Sequence, residues 1–313
     1  MPEVPFSVST KEELAHLMPS EKSCQLAELA GVTRACGRIE VKGHGELTLT
    51  LTTDQAAVVR KALTLFKSLF EAAPEVVVLR GRRLRRNRNY ILRVPVGDPR
   101  ASILTALGVT DVQGQIRYDL PEGLVKRSCC RRSYLRGLFL GSGSVTGPDR
   151  DHHLEIVLSD ADLADAVGQL LFSFHIPARM TSRKDSIVLY LKESEGITAF
   201  LNVTGAHQAL LAYENVLAMK DVRNRINRMV NAETANLQKS VEAGMRQAED
   251  IKLIRRTIGL AKLPPSLREI AQVRLKHPQA SLRELGDLCR PKVGKSGVNH
   301  RLRKLEEIAR DLR

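Results

Sequence analysis

The chain has 313 residues, of which 43% are hydrophobic, enough for about two domains with apolar cores. Its 49 Lys and Arg against 35 Asp and Glu give a net charge of +14. That charge indicates a polyanionic partner, nucleic acid or an anionic membrane surface, or else a basic surface that favours solubility. No apolar leader and no run of 18 apolar residues occurs, which excludes secreted and membrane-spanning classes, so we expect a cytoplasmic protein.

A short helix is expected first, over residues 11–18, capped by Ser9 or Thr10 and ended by Pro19. Apolar spacing then changes repeatedly between the helical period and the alternation typical of strands. The predicted order is helix, strand, strand, helix, strand, strand, helix, over residues 20–31, 37–41, 46–51, 54–70, 76–79, 90–94 and 100–107.

The same order occurs a second time along the chain. The predicted elements are residues 128–140, 142–146, 153–158, 161–175, 179–182, 186–192 and 195–203. An internal duplication of an αββαββα unit explains both halves. The sequence therefore predicts an α+β fold class, with the duplicated unit forming a pseudo-dimer.

Beyond residue 205 the pattern becomes helical throughout. A long helix is expected over residues 213–259, ended by Pro264 and Pro265 because proline cannot continue a helix. Three compact helices fit the remainder, and Ser281 with Glu284 has the spacing of a capping box. We divide the chain into an N-terminal helix, two repeats, linker helices and an all-α helix-turn-helix domain, at residues 1–19, 20–110, 126–205, 206–263 and 264–313.

Each repeat begins with a helix that ends in L-x-G-x-x-x-small-x-G, LAGVTRACG at residues 29–37 and LRGLFLGSG at 135–143. The first glycine of each would let two helix backbones approach closely, and the last would permit the turn into a strand. The pattern resembles the LAGLIDADG motif of homing endonucleases, whose two sheets bind the DNA major groove. In that family the eighth motif residue is an acid that holds a divalent metal for strand cleavage.

Here the eighth residues are Cys36 and Ser142, which offer no anionic oxygen to Mg²⁺. Glu40 and Asp149 are near in sequence but displaced from the motif position. We therefore expect the endonuclease scaffold without its activity: no catalytic residues, and no enzyme.

Six arginines fall within nine residues between two predicted strands. On a hairpin tip they would either grip phosphate as secondary DNA contacts or form a solvated charge run. A second basic set lies along the helix that begins the second repeat. It would either extend that surface or keep the outer face of this helix solvated; the set is Lys126, Arg127, Arg131, Arg132 and Arg136. The six arginines are Arg80, Arg82, Arg83, Arg85, Arg86 and Arg88.

The last 50 residues carry 12 Lys and Arg against 6 Asp and Glu. Ser296 is expected to cap the final helix, residues 297–312, and the face opposite its apolar residues has the character of a DNA recognition helix. The alternative is a basic helical domain that docks a protein. The candidate contacts to double-stranded DNA are Ser281, Lys292, Lys295, Ser296, Asn299, His300, Arg301, Arg303 and Lys304.

The cysteines are five in number and include a vicinal pair, which favours reduced thiols over a disulfide framework. No C-x-x-C occurs, and His152 and His153 are interpreted as an exposed loop pair, so we expect no metal site. A glycine-rich stretch at residues 141–147 follows a helix and lacks the register of a dinucleotide loop, so we expect no cofactor and no small-molecule substrate.

At this point the whole chain resembles the WhiA family. The matching strings are FS at residues 6–7, KEEL at 11–14, the second seam motif, NR-x-NR-x-VN with ETAN at 224–236, and KSGVNHR at 295–301. Amides in the 224–236 string, Asn224, Asn227, Asn231 and Asn236, with Arg225, would either fix how two elements dock or contact DNA.

The resemblance implies a degenerate homing-endonuclease fold joined to a helix-turn-helix. It also implies a nucleoid-associated regulator that acts in cell division and chromosome segregation, or as a transcription factor of sporulation, with another transcription or cell-division protein as a further partner. Two alternatives stay open from the residues: a protein-binding scaffold for the division machinery, and a residual metal-dependent nuclease.

Overall fold

The computed structural model describes residues 4–41, 47–80, 88–97 and 103–313. The chain divides into two compact units, Met1–Met219 and Lys220–Arg313. The first contains two copies of the αββαββα unit and the second is helical, so the predicted α+β fold class with its internal duplication is confirmed.

The first unit starts with helix α1 and then runs through the two repeats. The first repeat is α2 (Lys22–Cys36), β1 (Gly37–Val41), β2 (Leu47–Thr53), α3 (Ala56–Leu69), β3 (Glu75–Arg80), β4 (Arg88–Gly97) and α4 (Ile103–Ala106). A short helix that the sequence did not predict, α5 (Glu122–Val125), precedes the second repeat. That repeat is α6 (Ser128–Ser142), β5 (Gly143–Val145), β6 (Leu154–Leu158), α7 (Ala161–Phe172), β7 (Arg179–Arg183), β8 (Ser186–Leu191) and α8 (Ser194–Thr204).

The two sheets have the same topology. Their strand orders are β1-β2-β4-β3 and β5-β6-β8-β7, with every neighbouring pair antiparallel. In each sheet the inward side chains alternate along the strands, as Leu92 and Val94 do in β4, and they are buried in one common core. Identical strand order in both copies is what a duplicated unit requires.

Helix α1 spans Phe6–His16 and so begins five residues before the predicted start. Ser9 and Thr10 do not cap it. Their hydroxyls donate to the carbonyl of Phe6 from within the helix, at 2.9 and 2.8 Å. Serine and threonine hydroxyls can either cap a helix or donate to a carbonyl of the preceding turn within it. The sequence does not distinguish the two, so the predicted helix start was too late.

Helix α2 also exceeds its prediction, because it continues through Gly31 to Cys36. A Cβ on Gly31 would lie 2.3 Å from the carbonyl oxygen of Tyr134 in α6, and one on Gly137 would lie 2.1 Å from that of Glu28 in α2. Each glycine therefore admits the backbone of the opposite helix. The predicted close approach of the two motif helices, the seam, is confirmed.

A buried ionic cluster crosses this seam. Glu28 of α2 is fully buried and accepts charged hydrogen bonds from Arg136 of α6 and from Lys61 of α3, the latter at 2.5 Å. Lys61 also donates to the carbonyls of Leu14 and Leu17, and burial lowers its pKa. Arg136 thus belongs to the interior, and its expected place on a basic outer face was wrong.

The long helix α9, His207–Thr257, begins six residues earlier than predicted. Glu13 of α1 accepts hydrogen bonds from the backbone N–H groups of Gln208 and Ala209, at 2.7 and 3.0 Å. A carboxylate at this place satisfies N–H groups that have no partner within the helix and complements its dipole.

The histidine pair is not an exposed loop pair. A hydrogen bond of 2.6 Å joins His152 Nδ1 to the buried Tyr213 Oη of α9, and burial raises the pKa of Tyr213 to about 12. His153 Nε2 lies 3.2 Å from a carboxylate oxygen of Glu155, and both histidines are half-buried. The partner of His152 lies 61 residues along the chain, which local polarity does not reveal.

The second unit contains the end of α9, a 3₁₀ turn at Leu260–Lys262, and helices α10 (Pro265–Lys276), α11 (Leu282–Leu288) and α12 (Lys295–Asp311). These are the three compact helices that the sequence predicted. Their core is apolar and includes Ile270, Leu285 and Leu302. Among the described helices of the whole chain, none combines the length and apolar character that a bilayer span requires.

Candidate nucleic-acid interface

Helices α11 and α12 form a tight pair. The capping box at the start of α11 is present: Ser281 Oγ accepts from Glu284 N at 3.3 Å, and Glu284 accepts from Ser281 N at 2.7 Å. After α11 the chain turns close to Gly286, where a Cβ would lie 2.1 Å from the carbonyl oxygen of Val293. Glycine at that position therefore lets the turn pass directly over α11.

Arg274 of α10 is a buried cation that sequence reasoning did not single out. It is 2% exposed and donates to the carbonyls of Pro278 and Ala280, at 3.3 and 2.6 Å. Burial lowers the pKa of its guanidinium. Arg274 therefore fixes the loop between α10 and α11.

Helix α12 has two faces. Val298, Leu302, Leu305 and Ala309 are buried at helical spacing against α10 and α11. The opposite face is solvent-exposed and carries four nitrogen-bearing side chains and one hydroxyl. These residues are Lys295, Ser296, His300, Arg303 and Lys304.

Ser296 is not the N-cap. The helix begins at Lys295 after Gly294, so Ser296 lies within the first turn and its side chain is exposed. The Ser296 side chain is consequently exposed beside that of Lys295 at the N-terminus of the helix. Exposed N–H groups at a helix N-terminus favour an anion such as phosphate.

The other candidate contacts are partly engaged within the unit. Arg301 lies 3.5 Å from Glu269, Lys292 lies 3.4 Å from Asp287, and Ser281 serves the cap. Asn299 is half-buried. The fold therefore leaves available the exposed face of α12 and Lys292, whose side chain is exposed.

The predicted arginine-rich hairpin is described only at its base. Strands β3 and β4 pair in antiparallel register up to Arg80 opposite Arg88. Arg82, Arg83, Arg85 and Arg86 lie outside the described residues, so their proposed contacts stay a prediction.

The motif positions Cys36 and Ser142 meet at a cleft of about 600 Å³ formed where α2 and α6 end. The Cys36 thiol donates to the carbonyl of Val32 at 3.3 Å, and burial raises its pKa to about 12. Ser142 Oγ is buried without a hydrogen-bond partner among the described residues. A neutral thiol and a neutral hydroxyl are poor ligands for Mg²⁺, so this pair does not fit a catalytic metal.

Two carboxylates line the cleft away from the motif positions. They belong to Glu40 and to Asp185 of the second repeat, whereas Asp149 is not among the lining residues. Arg34, also at the cleft, donates to the carbonyls of Gly108 and Arg117, both at 2.6 Å. Asp185 reaches the cleft through the turn between β7 and β8, which sequence proximity to the motif could not reveal.

The linker amides are exposed. Asn224, Asn227, Asn231 and Asn236 lie on the solvent-facing middle of α9, as does Arg225. Both interpretations of these amides, fixing how two elements dock and contacting DNA, stay predictions.

Comparison with known proteins matches the chain over nearly all its length. Residues 22–110 match a family model described as the WhiA N-terminal LAGLIDADG-like domain, residues 131–223 the WhiA LAGLIDADG-like domain, and residues 226–309 the WhiA C-terminal HTH domain.

Individual relatives agree. A protein of Heliobacterium modesticaldum named "Probable cell division protein WhiA" is 47% identical, over 97% of this chain and 95% of its own length. The crystal structure of full-length DUF199/WhiA from Thermatoga maritima is 27% identical, with a TM-score of 0.60, over 98% of this chain and 99% of that one. The N-terminal LAGLIDADG domain of a DUF199/WhiA protein gives a TM-score of 0.52 at 25% identity, over 64% of this chain and 90% of that one.

Proposed function

The chain belongs to the WhiA family, and we propose that it is a DNA-binding regulator of cell division whose C-terminal helix-turn-helix reads double-stranded DNA. The exposed face of α12 carries this proposal. Its basic residues alternate with the buried positions Val298 and Leu302, so the helix can be held by the core and still present side chains to a groove.

The charge of the chain supports the same partner. A net charge of +14 favours the release of counterions from phosphate and gives affinity that falls with salt. Phosphate contacts position a protein on DNA, whereas contacts to base edges give specificity. We assign phosphate contact to Lys295 and Ser296, at the N-terminus of α12, and base contact to His300 and Arg303 one to two turns later.

We further propose that the homing-endonuclease scaffold has no nuclease activity in this protein. The support is chemical: Cys36 is a neutral thiol with a raised pKa and Ser142 a neutral hydroxyl, where the motif would need acids. Without anionic oxygens the cleft has no means of holding Mg²⁺ at the motif positions.

The finer cellular role is also a proposal. Relatives carry the name cell division protein, and regulation of transcription in chromosome segregation or sporulation would follow from site-specific binding on the nucleoid. The exposed apolar side chains of α9, Met219, Val222, Ile226 and Met229, favour an additional protein partner, compatible with DNA binding.

A genome-wide map of bound DNA tests the regulator hypothesis. The full chain should occupy discrete sites, and a chain with both Arg303→Ala and Lys304→Ala should lose them. The matched control is Arg310→Ala, which removes an exposed cation from the C-terminal end of the same helix. Occupancy that survives the double change would favour a scaffold role, in which the protein reaches chromosomal sites through a partner.

A further inference from the structure

Three cysteine thiols meet where α2 and α6 begin, at the end of the seam opposite the cleft. Cys24 comes from the first turn of α2, and Cys129 and Cys130 come from the first turn of α6. Their three Sγ atoms all lie within 4.8 Å of one another. Cys24 and Cys130 are buried, and Cys129 is half-buried, so the cluster is closed on one side and reachable from the other.

The sulfur spacing is that of ligands to one metal ion. Cys24 Sγ and Cys130 Sγ are 3.7 Å apart. Two thiolates on one tetrahedral zinc ion, each with a Zn–S distance of about 2.3 Å, lie about 3.8 Å apart. A disulfide requires about 2.05 Å, so these two sulfur atoms are not bonded to each other. The geometry therefore suits a shared ion with little change in the backbone.

The donor set of the cluster determines the kind of ion, because all three ligand atoms are sulfur. Thiolates are the ligands that soft cations prefer, whereas Mg²⁺ and Ca²⁺ prefer oxygen.

We propose that Cys24, Cys129 and Cys130 form a binding site for one thiophilic metal ion, Zn²⁺ or Cu⁺, bound by three sulfur atoms. Cu⁺ would be satisfied by the three thiolates alone, and Zn²⁺ would take a water molecule at the half-buried side as its fourth ligand. The ion would join the first helix of one repeat to the first helix of the other. The site is independent of the helix-turn-helix and of its proposed contacts.

Spacing along the chain could not reveal this site. The three cysteines form no C-x-x-C, and 106 residues separate Cys24 from Cys130. Only the parallel packing of the two motif helices, start against start, brings them together, which is why no metal site was expected from the sequence.

The test is a metal titration of the full-length protein, reduced and kept under argon. Zn²⁺ and Cu⁺ are added in separate arms, each in competition with a chelator of known affinity. We expect one ion per chain in at least one arm, and a binding constant at least tenfold weaker in Cys129→Ser. Cys129 is chosen because it is half-buried, so serine there is compatible with the fold.

Cys36→Ser is the matched control. It removes a thiol from the far end of α2, the seam helix that carries Cys24, and the equivalent position of the second repeat is already a serine, Ser142. It should bind metal as the unchanged chain does, and bound metal should raise the melting temperature of both. Three results would overturn the proposal: no stoichiometric binding in either arm, equal affinity in Cys129→Ser, or a Cys24–Cys130 disulfide under these conditions in place of metal binding.

Discussion

Arg136 and Glu28 face each other across the seam between the two repeats. The guanidinium donates through Nε and Nη2 to the two carboxylate oxygens, at 3.0 and 2.7 Å. Arg136 also donates to the carbonyl of Thr204, which closes the second repeat, at 3.1 Å. One carboxylate therefore holds side chains from both copies of the fold, and it also neutralises Lys61.

Replacing Glu28 should destabilise the protein strongly. In Glu28→Gln, Lys61 and Arg136 would be left in the interior without a negative charge, and breaking a buried ion pair in this way costs about 3–5 kcal/mol. Chemical denaturation followed by circular dichroism measures the loss. Glu12→Gln, the same change on the exposed face of α1, should be within about 0.5 kcal/mol of the unchanged chain. Equal stability of the two variants would contradict the role assigned to the cluster.

The seam should not tolerate a methyl group at Gly137. A Cβ there would lie 2.1 Å from the carbonyl oxygen of Glu28 and 2.9 Å from the amide nitrogen of Val32, both backbone atoms. Gly137→Ala should therefore lower stability by about 1–3 kcal/mol or more, as overpacking does. At Gly123 of α5 a Cβ meets nothing within 4 Å, so Gly123→Ala should be neutral or slightly stabilising. Thermal melting of both variants distinguishes packing from loss of glycine.

The α12 face should determine DNA affinity. We expect Arg303→Ala to weaken binding to a target site by about 1–3 kcal/mol and to reduce discrimination against scrambled DNA. Arg310→Ala changes the net charge equally and should alter affinity far less. Fluorescence anisotropy at several salt concentrations separates the two effects, and Lys295→Ala should reduce the salt dependence by about one released ion. Equal losses from Arg303→Ala and Arg310→Ala would contradict a specific contact.

Plasmid DNA incubated with the purified protein and Mg²⁺ or Mn²⁺ should show no more cleavage than plasmid incubated without the protein. The physical reason is the absence of anionic ligands at positions 36 and 142. Gel electrophoresis measures conversion of supercoiled to nicked or linear plasmid. Cleavage that disappears in Glu40→Gln or Asp185→Asn would show instead that acids elsewhere in the cleft hold a metal.

The thiol of Cys36 should resist alkylation. Burial raises its pKa to about 12 from the ordinary 9.0, so the reactive thiolate is scarcer than in a free cysteine. At pH 8 we expect iodoacetamide to label Cys129 before Cys36. Both thiols are half-buried, but a hydrogen bond from Cys24 lowers the pKa of Cys129. Peptide mapping by mass spectrometry gives the order. Denatured protein, in which both thiols should react alike, is the control.

Features with a local cause could be predicted from the sequence. The repeated order of elements followed from apolar spacing. The seam followed from Gly31 and Gly137, because glycine within a helix is unfavourable unless another backbone must come close. The capping box of Ser281 and Glu284 was also visible, because its two partners are three residues apart. Each of these signals is contained in a short stretch of chain.

Features that depend on distant partners could not. From its neighbours in sequence alone, Arg136 is expected to face solvent. Its partner Glu28 is 108 residues away and comes beside it only in the folded chain. Arg274 looks like any basic residue of a basic helix, yet it is buried beneath a loop. Asp185 and the three clustered cysteines likewise acquire their neighbours only from tertiary packing. The exposed face of α12 was predictable because amphipathic spacing is a local property.

The hydrogen bonds between the Glu13 carboxylate and the start of α9 can form only late in translation. The carboxylate leaves the ribosome 195 residues ahead of the amide of Gln208 that it caps. Both repeats must therefore be translated before the long helix can receive its cap. An abbreviated chain that lacks the first twenty residues would leave those amides bare even if both repeats folded, so fragments of this protein should keep its opening helix.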